Sequence, residues 1–565
     1  MMSNPVSDIK QSITALVRAA LDAAAASGTL SACAELPAFV VEIPADTSHG
    51  DFATNAAMVC ARTFRCAPRK VAEAICQNLV LEGSGIERVE IAGPGFINFF
   101  LGRGWFSEAV HSVLAQGDAY GRTSFGNGEK VQVEFVSANP TGPMHMGNAR
   151  GGAIGDCLAA ALDWAGYEVT REFYVNDAGN QIEKFGRSLE ARYLQIYQGE
   201  DAVEFPEDGY HGDDIKARAQ EFADLHGNRL VQADGPDRRR ELIGYALPKN
   251  IEKLRQDLES YRIAYDVWFL ESTLHNGAID QAIQRLSDRG MTYEKEGALW
   301  YKATENGGEK DEVLVRANGF PTYFAADIAY HYNKFAVRGF DRVINVWGAD
   351  HHGHVARLKG AMDAIGLDGS KLDIVLMQLV RLMKDGKPYK MSKRTGKAVS
   401  LTDLIEEVPV DAARFYFNMR EPNSTFDFDL DLAIEQSAQN PVYYVQYAHA
   451  RICSILRKLA EEGVSPRACT ADELDAMDGP FETELIRCLA RFPQEIVETA
   501  RSYDPAKLTK YAVEAATLFH KFYDKCRIRG EAEPLMQARL NLCLAVRTVL
   551  RNVLTILKIT VPESM

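Results

Sequence analysis

Apolar positions recur with helical spacing near the start of the chain, where Ile9, Ile13, Leu16, Val17 and Ala20 fall on one face of a helix predicted over 9–26. The segment 131–136 (Val-Gln-Val-Glu-Phe-Val) instead alternates with period two and predicts a strand. It is followed by a turn containing Asn139-Pro140-Thr141-Gly142-Pro143. A helix over 149–165 then carries Ile154, Leu158 and Leu162 at i, i+4 and i+8, and 167–175 alternates again. Strand, turn, helix, strand is a βαβ unit and predicts a parallel sheet. Buried strands are expected at 343–347 and 372–377, with a helix over 352–365 between them. Charged helical patterning over 183–289 reads as an insertion in that sheet domain, and Gly117 to Lys130 as a linker. From Asp411 onward nearly every segment has helical period, most clearly 485–499, 507–526 and 535–557.

The expected fold class is therefore α/β. A Rossmann-type parallel-sheet catalytic domain with a helical insertion is flanked by an α+β N-terminal domain and an all-α helical-bundle C-terminal domain. The boundaries are 1–125, 126–405 (insertion 183–289) and 406–565. The length of 565 residues is too great for one core and agrees with several domains. Hydrophobic residues make up 46% and charged residues 25%, ordinary for a globular enzyme. No run of 18 apolar residues occurs, so a membrane span is not expected. The ten cysteines include no Cys-x-x-Cys pair and are expected to be reduced thiols of a cytoplasmic protein. The net charge of −15 means that contacts to a nucleic acid would have to be locally basic.

Two loops carry candidate chemistry. His145-Met146-Gly147-Asn148 stands at the strand-to-helix turn of the first βαβ unit, where open α/β sheets bind nucleotides. There the helix N-terminal amides favour phosphate, Gly147 offers bare backbone to an adenine ring, and His145 can donate a hydrogen bond to an α-phosphate. Lys390-Met391-Ser392-Lys393 opens a second loop. Seven Lys or Arg residues lie between Arg381 and Lys397, among glycines and a proline. Such a loop suits closure over a leaving pyrophosphate. Either loop alone could be a bland helix start or a solvated charge run; their joint occurrence in this order points to adenylate formation. Asp350, His351, His352 and His354 have the residue types of a zinc site. Adjacent residues do not readily converge on one ion, so no structural metal is expected.

The two loops resemble the signatures of class I aminoacyl-tRNA synthetases, usually written His-Ile-Gly-His and Lys-Met-Ser-Lys-Ser. Asn148 replaces the second His and Arg394 the final Ser. The segments 134–143, 174–181, 322–329 and 347–354, with Gly93-Pro94-Gly95-Phe96-Ile97-Asn98, are similar to the arginyl-tRNA synthetase family along the whole chain. The resemblance implies ATP with Mg²⁺, L-arginine and tRNA(Arg) as substrates and partners, activation that needs bound tRNA, and a monomer. By resemblance, Glu134 and Asp327 hold the guanidinium beside Tyr323, and Ser137, Asn139, His145 and His351 attend the rest of the amino acid. His145, Met146, Gly147, Asn148, Lys390, Met391, Ser392 and Lys393 contact ATP, with His145, Asn148, Lys390 and Lys393 catalytic. Phe96 and Asn98 in the N-terminal domain, and Tyr523 and Met565 in the C-terminal one, face tRNA. A guanidinium pocket requires carboxylates on elementary grounds, because an unpaired buried cation is costly. Asp327 follows Tyr323 by four residues on one helical face, in an apolar segment with little else to offset its charge. A small-molecule nucleotidyltransferase would not need the terminal domains, and a non-catalytic tRNA binder would not need the loops.

Overall fold

The computed structural model describes residues 4–33, 35–389 and 399–565. The first helix, Pro5–Ala26, buries Val6, Ile9, Ile13, Val17, Ala20, Leu21 and Ala24. It packs beside a four-stranded antiparallel sheet in which Gly93-Pro94-Gly95 turns strand Ile86–Ala92 into Phe96–Leu101.

The central sheet is parallel, and its strands are numbered here in chain order. Strand β1 is Lys130–Glu134, β2 Glu168–Val175, β3 Val267–Leu270, β4 Arg342–Gly348 and β5 Leu372–Met377. Their spatial order is β5-β4-β1-β2-β3. Chain order reverses between β1 and β4, which opens a crevice at the carboxyl ends of those two strands. Helix α1 (Met146–Trp164) joins β1 to β2, and its residues from Ala149 to Leu162 are all buried. It is buried on all sides because the sheet covers one side and helices of the C-terminal region the other. Gly155 permits the approach: a Cβ there would lie 2.2 Å from the Phe135 ring. Helix α2 (Tyr323–Tyr332) precedes β4, and α3 (His352–Ile365) joins β4 to β5.

The structure adds to the sequence reading in three places. The insertion is helical over Asn180–Gln198, Asp213–His226, Gly235–Ser260 and Ala278–Asp288, but residues 267–270 interrupt it and return to the central sheet as its edge strand. That strand reads Val-Trp-Phe-Leu, too short to outweigh the charged helical patterning around it. A three-stranded antiparallel sheet (Thr292–Lys295, Ala298–Tyr301, Glu312–Val315) follows that periodicity did not predict. Finally, the region from Asp411 contains the strand Phe426–Asp429, which pairs in parallel with Val380–Lys384. The long helices Pro441–Glu461, Pro480–Ser502, Ala506–Lys525 and Glu533–Ile556 make up most of the remainder.

The C-terminal helices hold both other regions. Tyr120 donates from its hydroxyl to the Leu489 carbonyl (3.0 Å), and Arg487 pairs with Asp51. Arg414, fully buried, donates to Leu557 O (3.0 Å), Tyr261 O (3.1 Å) and Asp156 Oδ2 on α1 (2.5 Å). One guanidinium thus joins the end of the insertion, the chain terminus and the helix that begins at His145.

Candidate active site

His145 is the N-cap of α1. Its Nδ1 accepts from the Gly147 amide (3.0 Å), while its own amide donates to Asn148 Oδ1 (3.0 Å). This reciprocal capping box fixes the imidazole. An Nδ1 that accepts is unprotonated, so the neutral ring carries its proton on Nε2. Burial lowers the pKa of His145 and favours that neutral form. Gly147 is needed because a Cβ would stand 2.8 Å from the ring. Asn148, the departure from the signature, therefore has a defined task in the cap.

The expectation that free amides at this helix start await phosphate is corrected. Met146 N donates to Val399 O (3.2 Å), Gly147 N to His145 Nδ1, and Asn148 N to His145 O (2.9 Å). Leu401 N donates back to Met144 O (2.9 Å), and His145 faces Ser400 across an antiparallel bridge. The backbone just after the second loop is thus sewn to the first. Lys390, Met391, Ser392 and Lys393 themselves lie outside the described residues. Of the cations assigned to closure over pyrophosphate, Arg381 is paired with Asp427 (2.7 Å) and Lys384 with Glu407. These two brace the surrounding strands.

Past β1 the chain makes a sharp turn in which Val136 (φ +71°) and Ser137 (φ +44°) both occupy the left-handed region. For a β-branched residue this is a strained conformation, costing on the order of 1–3 kcal/mol, of the kind found at functional sites. The turn is held by Ser137 Oγ, which donates to Glu134 Oε1 (3.0 Å) and accepts from Tyr174 N (3.1 Å). It projects Ser137 and Asn139 into two adjoining cavities. One, of about 440 Å³, is lined by His145, Asn148, Thr141 and His351 among others. The second, of about 400 Å³, is lined by Glu134, Tyr174, Asn176, Asp327, Trp347 and His354 among others. Val136, Ser137, Asn139 and His351 are common to both. Tyr323 is on the other side of Asp327, lining a third cavity of about 470 Å³ with Arg316 and Trp300.

Neither carboxylate of the second cavity is without a partner. Glu134, 7% exposed, takes a hydrogen bond at Oε2 from the Nζ of fully buried Lys334 (2.5 Å). Lys334 also donates to Asn345 Oδ1 (3.0 Å) and lies over the Tyr330 ring (4.2 Å). Asp327 Oδ2 lies 2.9 Å from His354 Nε2, and His354 Nδ1 accepts from Arg357 Nε (2.7 Å). Arg357 in turn pairs with Glu312 (2.7 Å). The expectation that little stands beside Asp327 to offset its charge is refined: a histidine hydrogen-bonds it, supplied by the run once weighed as metal ligands. His351 diverges from it, 3.6 Å from Asp350. Among the described residues no three His, Cys, Asp or Glu side chains form a metal-holding group.

Sequence reasoning missed Lys334, His331 and Arg357. The signal was present for the first two. Asp327, His331 and Lys334 stand at i, i+4 and i+7, a polar stripe on an otherwise apolar helix. A π turn over Asn333–Val337 continues α2 and contains Lys334; such turns frequently mark functional sites. His331 Nδ1 lies 2.8 Å from Asp327 O, and Asn345 Nδ2 donates to His331 Nε2 (2.9 Å). Burial holds the His331 pKa well below the usual imidazole range.

The residues expected to face RNA are far from this crevice. Tyr523 and Met565 line a cavity of about 710 Å³ with Tyr447, Arg451, Arg457, Lys458, Arg527 and Arg529. The Arg451 guanidinium lies over the Tyr523 ring (4.4 Å). Arg451, Arg457 and Lys458 were not among the sequence candidates. Arg539 and Arg551, on the last long helix, pair with Glu482 and Asp118. In the N-terminal sheet Phe96 is half-buried, and Asn98 is only 5% exposed, so little of it reaches solvent.

A parallel sheet reversing at β1/β4, with a capped histidine at the first helix start, is a nucleotide-binding α/β arrangement, and its family match makes it the catalytic domain of a class I aminoacyl-tRNA synthetase. Residues 109–454 match the family described as tRNA synthetases class I (R), catalytic domain, residues 11–101 the arginyl tRNA synthetase N terminal domain, and residues 445–565 the DALR anticodon binding domain. The chain belongs to the arginyl-tRNA synthetase family. It is 53% identical over 565 residues to an arginine–tRNA ligase from Ruminiclostridium cellulolyticum and 56% identical over 565 residues to one from Caldanaerobacter subterraneus subsp. tengcongensis, covering 100% of both chains in each case. Its fold is similar to Thermus thermophilus arginyl-tRNA synthetase, with a TM-score of 0.74 at 23% identity over 98% of this chain and 100% of that one.

Proposed function

We infer that this chain activates L-arginine with ATP, giving arginyl-adenylate and pyrophosphate, and then transfers the arginyl group to the 3′ end of tRNA(Arg). The observation that carries the reading is the pair of adjoining cavities. One holds two carboxylates for a guanidinium, the other presents a histidine whose free N–H can meet a phosphate.

In this reading arginine lies across the shared wall, its guanidinium toward Asp327 and Glu134 and its carboxylate toward His145. Ser137, Asn139 and His351 line the passage between. The carboxylate attacks the α-phosphate in line, and the bond to the pyrophosphate leaving group breaks. His145 Nε2–H donates to the non-bridging oxygen where charge accumulates. The enzyme contributes positioning and preorganised donors, with no covalent intermediate on the protein. Lys390 and Lys393 are assigned to the departing pyrophosphate, with Met391 and Ser392 beside the nucleotide. Mg²⁺ accompanying ATP would be held by phosphate oxygens and would neutralise their charge. The ribose hydroxyl of the terminal nucleotide then attacks the activated carbonyl and releases AMP.

The basic, aromatic cavity around Arg451, Tyr523 and Met565 is assigned to single-stranded anticodon bases, which stack on rings and guanidinium planes. Phe96 and Asn98 are assigned to a second RNA contact. We further propose that activation requires bound tRNA, and that the enzyme works as a cytoplasmic monomer.

The test is ATP–pyrophosphate exchange with each amino acid, with and without tRNA. Exchange is expected with arginine plus tRNA. Its absence there would overturn the reading, and exchange equally fast without tRNA would overturn the tRNA requirement alone.

A further inference from the structure

Each carboxylate of the amino-acid cavity is held by a different kind of group. Glu134 shares a hydrogen bond with a fully buried ammonium, Lys334, whose other partners are the Asn345 amide oxygen and the Tyr330 ring. All three favour the cation against the burial that lowers its pKa, and the ion pair Glu134–Lys334 carries no net charge before any substrate arrives. Among the described residues Asp327 is held only by His354. Because Arg357 Nε donates to His354 Nδ1, the proton of the ring is on Nε2 and points at Asp327 Oδ2. That ring orients Asp327 without cancelling its charge. Arg357 itself is matched by Glu312. The nearby Arg338 is matched by Glu172, which also accepts from the Tyr330 hydroxyl. Glu271, buried beside Tyr174, faces His275 at 3.5 Å, and burial raises its pKa. Asp327 stands apart from all of these: its side chain is 36% exposed and borders two cavities.

We propose that the two carboxylates divide the work of recognising arginine. Asp327 supplies the counter-charge and so decides between a guanidinium and its neutral isosteres, while Glu134, neutralised by Lys334, supplies only hydrogen-bond geometry. His354, with its tautomer fixed by Arg357, is the positioning residue for Asp327. A single uncompensated carboxylate leaves the occupied pocket neutral, whereas two would leave it carrying excess buried charge. This rests on the placement of the guanidinium in that cavity.

Citrulline separates charge from shape, since its ureido group matches the guanidinium in outline but is neutral. The measurement is pyrophosphate exchange in the presence of tRNA, giving kcat/KM for arginine and for citrulline. Asp327→Asn is expected to narrow the arginine-over-citrulline ratio by about 100-fold or more, and Glu134→Gln by less than about tenfold. His354→Leu is expected to raise KM for arginine with kcat nearly unchanged. His354→Gln, which keeps an N–H for Asp327, should recover most of that loss. If Glu134→Gln fails to fold, combining it with Lys334→Met removes both charges together, and the same small change is expected. Equal loss of the ratio in the Glu134 and Asp327 variants would overturn the division of labour while leaving the pocket assignment intact. A ratio unchanged in both would overturn the pocket assignment itself. Equal KM increases in His354→Leu and His354→Gln would remove His354 from its positioning role.

Discussion

His145 and Ser400 face each other across a single antiparallel bridge, flanked by hydrogen bonds from Met146 N to Val399 O and from Leu401 N to Met144 O. The backbone of the first signature and the segment following the second are thus one piece of structure. Ser400 also caps helix Leu401–Glu407 through a reciprocal pair with Asp403. A displacement of Val399 or Ser400 would accordingly be transmitted to the N-cap of α1.

The free N–H of His145 is the donor assigned to the α-phosphate. His145→Ala should lower kcat for arginine activation by about 10²–10³, the usual effect of removing one such donor, while KM for arginine stays within about threefold of wild type. Steady-state pyrophosphate exchange gives both constants. A loss expressed only as a raised KM, with kcat unchanged, would contradict the assignment.

Arg414 and Asp156 form a buried ion pair between the C-terminal region and α1. Arg414→Met should destabilise the protein by about 3–5 kcal/mol, because among the described residues Asp156 then keeps only Arg171, 3.4 Å away. Adding Asp156→Leu should restore a good part of the loss, since the uncompensated charge is gone. Urea unfolding of the single and double variants measures the coupling.

His331 is buried and neutral, with its pKa held low by desolvation. The unfolded chain takes up this proton as pH falls through about 6.5, while the folded chain resists it. Its contribution to stability is therefore present above about pH 6.5 and is lost below it. The loss approaches about 1.4 kcal/mol per pH unit for one proton. Urea midpoints at several pH values between 7.5 and 5 should fall less steeply in His331→Gln than in wild type. Parallel slopes would show that this proton is not linked to folding.

Tyr523 and Arg451 stack at the mouth of the C-terminal cavity. Loss of one base-stacking platform is worth about 1–3 kcal/mol, so Tyr523→Ala should raise KM for tRNA by about 5- to 150-fold. Aminoacylation at fixed ionic strength reads this out. Arg451→Ala should act in the same direction and flatten the salt dependence of tRNA binding.

Much of the molecule was legible in its residue pattern, because period-two and period-3.6 burial are local signals. The helix 352–365 and strand 372–377 fall where periodicity placed them. The Gly-Asn signature was locatable because a strand, a turn and an apolar helix stand in sequence around it. The pairing of charges was not legible. Arg381 and Lys384 read as loop cations, yet they brace strands through Asp427 and Glu407, residues 46 and 23 positions away. His354 read as a metal ligand or a helix-start residue because nothing local reveals that Asp327 lies opposite it.

The sequence by itself determined the α/β class and the family resemblance, with the adenylating signature it carries, since each depends on residue type at short spacing. The tertiary structure decided which partner each carboxylate has. Lys334 is 200 residues from Glu134, and His354 is 27 residues from Asp327. Only the reversal of strand order at β1/β4, with α2 and α3 packed against one another, brings those four side chains to one crevice. Electrostatic identity is a property of neighbours in space, and no period along the chain encodes it.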